Sequence, residues 1–435
     1  MKNGTNTRKI IAGLVIIAGI SWFVLPKFAD KHPITMTPDS APVIAPRTTD
    51  AERAEARRRQ LEDVIKPGLQ QTTSAEHFDQ WTQVLSAIKW SNYRADDAIA
   101  PMRELFASSQ LPEELRRSLF ETAYGQYPDA FAEEMGHAFE TERDTRLVAM
   151  AGAYLMRITP GEAERLQMRL LLEARFPEWA TLPRILTLHH ELSVPRQVAL
   201  QQRPEIRDLL RAPFDGRVVV FSLQRLDRKW CGRAIVRGTD GGFLRTETGS
   251  LWSVPHFARS VSDLPGTITN GNTPQGIFEI REIGHAKNVA IGPTETLVLG
   301  LPGEYDATWT GARYDQLLPQ TWRAWWPIKE AWWAGQAGRC EILAHGTTID
   351  PESWRDEPFY PNTPSHGCLT APEQWNGATG VREGSDQLKL VRAFQHAGGA
   401  PGWLVLVELD AVEGPVSQVV VESIISNGDN GDNGE

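Results

Sequence analysis

Cysteine is scarce in this sequence of 435 residues. Only three occur, Cys231, Cys340 and Cys368. They are too few for a disulfide scaffold, and no pair has the close spacing of a zinc site. An odd number leaves at least one thiol unpaired. The sequence leaves open whether Cys231 and Cys340 form a disulfide or are two separate buried thiols.

A block of basic residues is missing as well. Lys and Arg are scattered along the chain, and the formal net charge is −10. This distribution argues against a nucleic-acid-binding protein, and we expect no nucleic-acid partner. Apolar residues make up 41% of the sequence, which suffices for ordinary cores, and the length predicts two or three domains.

Long apolar runs are also rare, and the longest extends from Ile10 to Leu25 after three basic residues. A positive segment followed by an apolar one is typical of an export signal. Because Lys27 stands where a cleavage site needs a small residue, residues 1–30 are predicted to be a retained signal-anchor rather than a cleaved signal peptide. This predicts a membrane contact, with the rest of the chain in the cell envelope on the periplasmic side of the cytoplasmic membrane.

Residues 31–49 contain several prolines and are predicted to form an extended linker, whereas residues 50–212 are predicted to be a helical domain. Thr73 and Glu76 have the spacing of a capping box ahead of an apolar helical stripe. This helical module is either a plain spacer or a module that binds a protein partner or positions substrate, and the sequence does not decide between them. The stripe consists of Phe78, Trp81, Leu85 and Ile88.

From residue 213 onwards the pattern changes to short β-rich runs separated by Gly- and Pro-containing turns. We predict a multidomain α+β protein, in which the helical module is followed by a mostly β domain over residues 213–408. Residues 409–435 are predicted to be a C-terminal extension with a disordered acidic tail. The candidate strands are 217–223, 234–237, 277–280, 296–299, 341–344 and 403–408.

The sharpest chemical signal is the hexapeptide Ser365-His366-Gly367-Cys368-Leu369-Thr370. A cysteine thiolate is a strong nucleophile when a base or a cation lowers its pKa. Gly367 permits unusual backbone angles, so that amides near Gly367 and Cys368 can point at an oxyanion. Alone, a cysteine near a histidine is weak evidence, since a buried inert cysteine is more common.

A second signal is a short apolar run that ends in His345 and Gly346. A histidine at the end of a rigid strand is well placed for proton transfer, and with Cys368 it would form a nucleophile and base couple. A third signal is Thr273-Pro274-Gln275-Gly276, a turn that enters a predicted strand.

These three motifs, in this order, resemble the catalytic domain of the L,D-transpeptidases, also called the YkuD-type domain. The resemblance covers about residues 215–408 and says nothing about the helical module. It implies that Cys368 is the acylated nucleophile, that His345 is its general base, and that the reaction needs neither a metal nor a cofactor. It also implies supporting roles: the Gly346 carbonyl orients the imidazole, His366 and Ser365 shape the site, and amides near Gly367 and Cys368 form the oxyanion hole.

The same resemblance implies a substrate, namely peptidoglycan stem peptides. The enzyme would form an acyl-enzyme with a tetrapeptide stem and transfer it to an amine acceptor. Hydrolysis of the same acyl-enzyme would instead make it an L,D-carboxypeptidase or an endopeptidase. A non-catalytic cell-wall binding protein with a decayed site is a further alternative.

Two features depart from the family pattern. Thr370 stands where the family usually has Arg or Asn, and residues 350–361 lengthen the segment between His345 and Cys368. The extra residues are predicted to form a larger loop beside the cleft.

A tryptophan-rich segment precedes the His345 strand. It is interpreted either as a lid over the cleft or as indoles that pack a helix onto the sheet. Its members are Trp309, Trp322, Trp325, Trp326, Trp332 and Trp333.

Overall fold

The computed structural model describes residues 42–158, 161–306 and 308–426, and this part of the chain is mixed α/β. The predicted signal-anchor, residues 1–30, and the end of the predicted acidic tail, residues 427–435, lie outside the described residues. Among the described residues, no helix combines the length and the apolar character that crossing a membrane requires.

Helices occupy the chain up to residue 211, and the first strand begins at Val219. A π-helical stretch, Gln60–Ile65, joins the first two α-helices, and short 3-10 helices occur at Ala75–His77, Asp96–Ala98, Trp179–Thr181, Phe214–Gly216, Gln320–Trp322, Trp326–Lys329 and Pro351–Trp354. The α-helices of this part are α1 (Asp50–Arg59), α2 (Lys66–Gly68), α3 (Phe78–Trp90), α4 (Ile99–Ala107), α5 (Glu113–Gln126), α6 (Ala132–Thr141), α7 (Thr145–Ile158), α8 (Glu162–Arg175), α9 (Pro183–Ser193), α10 (Arg196–Gln201) and α11 (Ile206–Arg211).

The strands that follow form an eight-stranded sheet and a separate hairpin. Their bounds are β1 (Val219–Gln224), β2 (Gly232–Arg237), β3 (Val254–His256), β4 (Gly276–Gly284), β5 (Thr296–Gly300), β6 (Ile342–His345), β7 (Leu369–Thr370), β8 (Glu373–Trp375), β9 (Arg382–Ser385) and β10 (Gly402–Glu408). Four further helices occur in this part of the chain: α12 (Gly311–Leu317), α13 (Glu330–Gln336), α14 (Asp386–His396) and α15 (Gln418–Ser426). The sequence suggested a helix only in the tryptophan-rich segment, as one of its two interpretations.

The sheet has the order β3-β2-β1-β10-β4-β5-β6-β7, and its two edges meet. Phe257, just after β3, exchanges two backbone hydrogen bonds of 2.8 Å with Thr370 in β7. Ser365 likewise donates its amide to Arg259 and accepts from Val261. The sheet therefore nearly closes on itself, and the Cys368 hexapeptide lies at the seam between β6 and the chain that follows β3.

Alternation along the central strands divides the apolar side chains between two cores. In β1, Val219, Phe221 and Leu223 face one core, and Val220 faces the other. The first core includes the tryptophan-rich segment and α15, and the second includes α14. Because both faces are covered, β1 and β10 are buried along their whole length.

The helices up to α9 build a third core, which also takes in Leu264 and Ile268 from the loop between β3 and β4. In this core the predicted stripe on α3 is buried, as expected. The predicted capping box, however, is wrong. Thr73 hydrogen-bonds Glu104, and a 3-10 turn after Ser74 begins the helix, whereas a capping box is formed by Thr49 and Glu52 at α1.

The described part of the predicted linker, residues 42–49, lies against the hairpin of β8 and β9. Arg382 donates its amide to Val43 at 2.8 Å, and Ala45 donates to Gly380 at 3.3 Å. Thr48 is fully buried. This contact places α1 beside the cleft described below.

Candidate active site

Cys368 is held in a tight turn that leads into β7. The Ser365 hydroxyl accepts a hydrogen bond from the Gly367 amide at 2.9 Å and donates one to the Cys368 carbonyl at 2.7 Å. Gly367 has a φ of 105°, a backbone conformation that favours glycine. Ser365 therefore shapes the turn that holds Cys368.

The predicted oxyanion hole needs a correction on this point. Because the Gly367 amide points at the Ser365 hydroxyl, it is not available to an oxyanion in this conformation. Ser365 engages the amide of Gly367 but not the amide of Cys368.

His345 is the last residue of β6, and it lies opposite Thr370 in the parallel pairing with β7. Its Nδ1 is 2.5 Å from the Gly346 carbonyl oxygen. A carbonyl can only accept, so Nδ1 carries the proton and Nε2 presents a lone pair. Burial lowers the pKa of His345 to about 4, which keeps the imidazole neutral at pH 7. A neutral imidazole with a free Nε2 can act as a base.

The Gly346 carbonyl is itself fixed by a residue that the sequence analysis missed. The carboxylate of Glu373 accepts from the Thr347 amide at 3.0 Å and from the Ser385 hydroxyl at 2.8 Å. A Cβ on residue 346 would collide with this carboxylate, so a larger residue there would displace Glu373. Glu373 thereby holds the turn that orients His345.

The Cys368 sulfur is half-buried near the β6 backbone. Its Sγ lies 3.4 Å from the Leu343 amide, which donates to it, and 3.8 Å from the Glu341 carbonyl oxygen. Burial raises the pKa of the Cys368 thiol above its ordinary value, and this outweighs the Leu343 amide and the Arg339 charge, which lower it. The resting form at pH 7 is therefore the thiol, and a base must remove its proton.

Arg339 is a second residue that the sequence analysis missed. It is buried, and its guanidinium group donates to the carbonyls of Asn272 and Gly271 at 2.8 Å and of Gly367 at 3.1 Å. None of the ion pairs among the described residues involves Arg339. Its positive charge favours the thiolate of Cys368 and ties the Cys368 turn to the loop before β4.

A cavity of about 790 Å³ opens in front of these groups. Cys368, His345, Ser365 and His366 all line it, so the structure brings four of the six predicted site residues to one cavity. Gly346 and Gly367 act through the backbone turns described above. The His366 ring packs edge-on against Trp90 of α3 at a centroid distance of 4.8 Å.

The helical part of the chain contributes to this cavity, which the sequence did not indicate. Arg53 and Arg57 from α1 and Trp90 from α3 line it. The predicted loop at residues 350–361 also reaches it through Asp350 and Ser353. These contacts are long-range, and no local pattern in the sequence marks them.

The tryptophan-rich segment takes no part in the cavity lining. Trp309, Trp322 and Trp325 are buried in the first core of the sheet, and Trp325 Nε1 donates to the Ala199 carbonyl at 2.7 Å. Trp326 and Trp333 stack on His190 of α9. The packing interpretation is therefore confirmed, and the segment joins the helices to the sheet.

Cys231 and Cys340 are not bridged. Cys231 is buried with Phe257, Trp354 and Phe359, whereas Cys340 is exposed. The thiols are therefore separate, but only Cys231 is buried as the second possibility required. Among the described residues, no group of three or more His, Cys, Asp or Glu side chains is placed to hold a metal ion.

In denaturant without reductant, we expect all three cysteines to react with a thiol reagent. In the native protein Cys340 should react first because it is exposed, and Cys231 last because burial raises its pKa to about 12. Thiol titration with mass-spectrometric mapping measures both. A single reactive thiol in denatured protein would contradict the structure.

Comparisons with protein-family models, with curated proteins and with solved structures found no match. The site combines the thiol of Cys368 with the neutral imidazole of His345, whose tautomer is set by the Gly346 carbonyl. The buried cation Arg339 lies beside them, and the cavity opens in front of them.

Proposed function

We propose that the protein is a cysteine-dependent acyltransferase of the L,D-transpeptidase type that acts on peptidoglycan stem peptides. The hydrogen bond from His345 Nδ1 to the Gly346 carbonyl carries this proposal, because it leaves Nε2 as a base on the cavity that Cys368 lines. The order and content of the three motifs around Thr273, His345 and Cys368 support the family assignment.

In the proposed reaction, His345 Nε2 takes the thiol proton as Cys368 Sγ attacks the carbonyl on the L-centre of the diamino acid. The sulfur–carbon bond forms, the carbon–nitrogen bond to the terminal D-alanine breaks, and the proton passes from His345 to the leaving amine. An acceptor amine then attacks the thioester and gives up a proton to His345. The carbon–sulfur bond breaks, and His345 passes this proton to the sulfur, so that Cys368 leaves as a thiol.

The proposed location is the periplasmic side of the cytoplasmic membrane, where the substrate is found. The export signal predicted over residues 1–30 supports it. The helical part is proposed to position substrate, since α1 and α3 line the cavity, and a protein partner on its outer surface is compatible with this role.

The test is to incubate the full-length chain with a disaccharide-tetrapeptide and to follow intact protein mass and free D-alanine. We expect a covalent tripeptidyl adduct on Cys368 and one D-alanine released per adduct. With an acceptor stem present, a crosslinked product indicates a transpeptidase, whereas free tripeptide alone indicates an L,D-carboxypeptidase. With a crosslinked muropeptide as the substrate instead, release of the partner stem would indicate an endopeptidase. Binding of the stem without any adduct would contradict the proposal and favour a non-catalytic cell-wall binding protein.

A further inference from the structure

Positive side chains gather at the cavity, although the whole chain is acidic. The formal net charge is −10, yet four cations and only two carboxylates line the cavity. An excess of one sign in a cleft with low-dielectric walls concentrates ligands of the opposite sign. The cations are Arg47, Arg53, Arg57 and Lys287, and the carboxylates are Glu341 and Asp350.

These cations differ in how well they are paired. Arg57 forms an ion pair with Asp350, so its charge is already compensated. Arg47 and Lys287 are exposed, and none of the ion pairs among the described residues involves them. Within the described part of the chain, these two charges have no ion-pair partner and lie where a ligand can meet them.

Arg53 is the most informative of the four. It is half-buried, and the hydrogen bond that it makes is a long one of 3.4 Å, from Nη2 to the Thr348 carbonyl. Its Nε is buried without a hydrogen-bond partner among the described residues. Burial lowers the pKa of Arg53, and the charges of Asp50 and Glu352 oppose this shift. A half-buried guanidinium group with an unused donor is stabilised when an anion occupies that donor.

The rest of the cavity lining suggests what carries the anion. Trp90, Leu343 and Ile349 add apolar surface to the cavity wall that the cations and Cys368 also line. A chain with small apolar side chains and one free carboxylate matches this surface, because a guanidinium fork binds a carboxylate through two parallel hydrogen bonds.

We propose that Arg53, with Arg47 and Lys287 at the rim, forms a subsite for a free carboxylate of the peptide whose carbonyl is attacked by Cys368. This proposal rests on the proposed function, which it deepens by assigning substrate recognition to the helical part of the chain. The Arg57–Asp350 ion pair holds the loop after β6 beside the subsite.

Binding is measured first, in the full-length Cys368→Ala variant, so that no chemistry is required. The probes are a stem tetrapeptide and versions of it in which each free carboxylate is amidated in turn. We expect amidation of one carboxylate to weaken binding by about 10- to 100-fold, as the loss of a charge-assisted pair does. Adding Arg53→Gln should weaken binding of the free acid by the same factor and leave the amidated peptide unaffected.

Two variants complete the design. Arg58→Gln is the matched control, since Arg58 lies on the same helix, is half-exposed and pairs with Glu55 and Asp63. It should leave binding within about twofold, because exposed ion pairs contribute little. Arg53→Lys keeps the positive charge but loses the two parallel donors of the guanidinium group. Its affinity for the free acid should lie between those of the protein with Arg53 and of Arg53→Gln. Thermal denaturation of each variant shows whether it is folded.

The outcomes separate this proposal from the proposed function. The subsite is wrong if amidation weakens binding by the same factor in the protein with Arg53 and in the protein with Arg53→Gln. It is also wrong if amidation of no carboxylate weakens binding. If binding depends on a carboxylate and on Arg53, the subsite is upheld. If the wild-type protein nevertheless forms no adduct with any stem, the proposed function is overturned and the subsite is not. Alkylation of Cys368 by iodoacetamide shows in either case whether the thiol is reactive.

Discussion

Replacing Cys368 with alanine is expected to abolish both the tripeptidyl adduct and the release of D-alanine. The change removes the sulfur that forms the bond to the acyl group, and no other side chain on the cavity is a thiol. The fold should survive, since the hydrogen bonds that the sulfur makes to described residues are weak, one of 3.4 Å with the Leu343 amide and one of 3.8 Å with the Glu341 carbonyl. Intact mass, D-alanine release and thermal denaturation measure these effects.

Cys340→Ala is the matched control for this experiment. Cys340 lies one residue before Glu341 but is exposed, and it does not line the cavity. Its removal should leave adduct formation unchanged within about twofold, as surface substitutions usually do. Turnover by Cys368→Ala equal to that of the wild type would show that another residue, or no residue of this chain, performs the chemistry.

Much of the sheet was predictable because several of its strands have a local composition that is typical of a strand. The runs that became β1, β4, β5, β6 and β10 are rich in β-branched and apolar residues, and each was predicted within a few positions of its bounds. In contrast, β3, β7, β8 and β9 were missed. These strands have two to four residues, too few to show a period, and the sequences of β8 and β9 are mostly polar. They are extended because a partner strand holds them.

The site was predictable only where its residues lie close together in sequence or in a recognisable order. Ser365, Gly367 and Cys368 form one turn, and His345 lies opposite Thr370, just after that turn, because β6 pairs with β7. Arg339 and Glu373 act through contacts with distant loops, and a lone Arg or Glu has no pattern that distinguishes it from a surface residue. The mouth of the cavity was missed for the same reason, since α1 is far from it along the chain.

His345→Ala is expected to lower the rate of Cys368 acylation at pH 7 by about 10² to 10⁴, as the loss of a general base does. The size of this effect follows from the state of the thiol. Because burial raises the pKa of Cys368, very little thiolate is present at pH 7, and the proton must be removed during attack. Single-turnover acylation by a stem tetrapeptide measures the rate.

His366→Ala is the matched control, since the sequence alone cannot tell which histidine is the base. The His366 ring lies against Trp90, and the residue is exposed, so its loss should affect binding more than the chemical step. Structural damage is detected by thermal denaturation. If His366→Ala lowers the rate of acylation more than His345→Ala does, the base has been assigned to the wrong histidine.

The pH dependence gives the sharpest test of the base. Since burial lowers the pKa of His345 to about 4, the wild-type rate should not fall through protonation of this residue until the pH approaches that value. In His345→Ala the rate should instead rise about tenfold per pH unit up to the pKa of the thiol, because only the thiolate fraction reacts. The ratio of the wild-type acylation rate to the His345→Ala rate should therefore become smaller as the pH rises. Parallel profiles would mean that His345 supports the structure of the site rather than taking the proton.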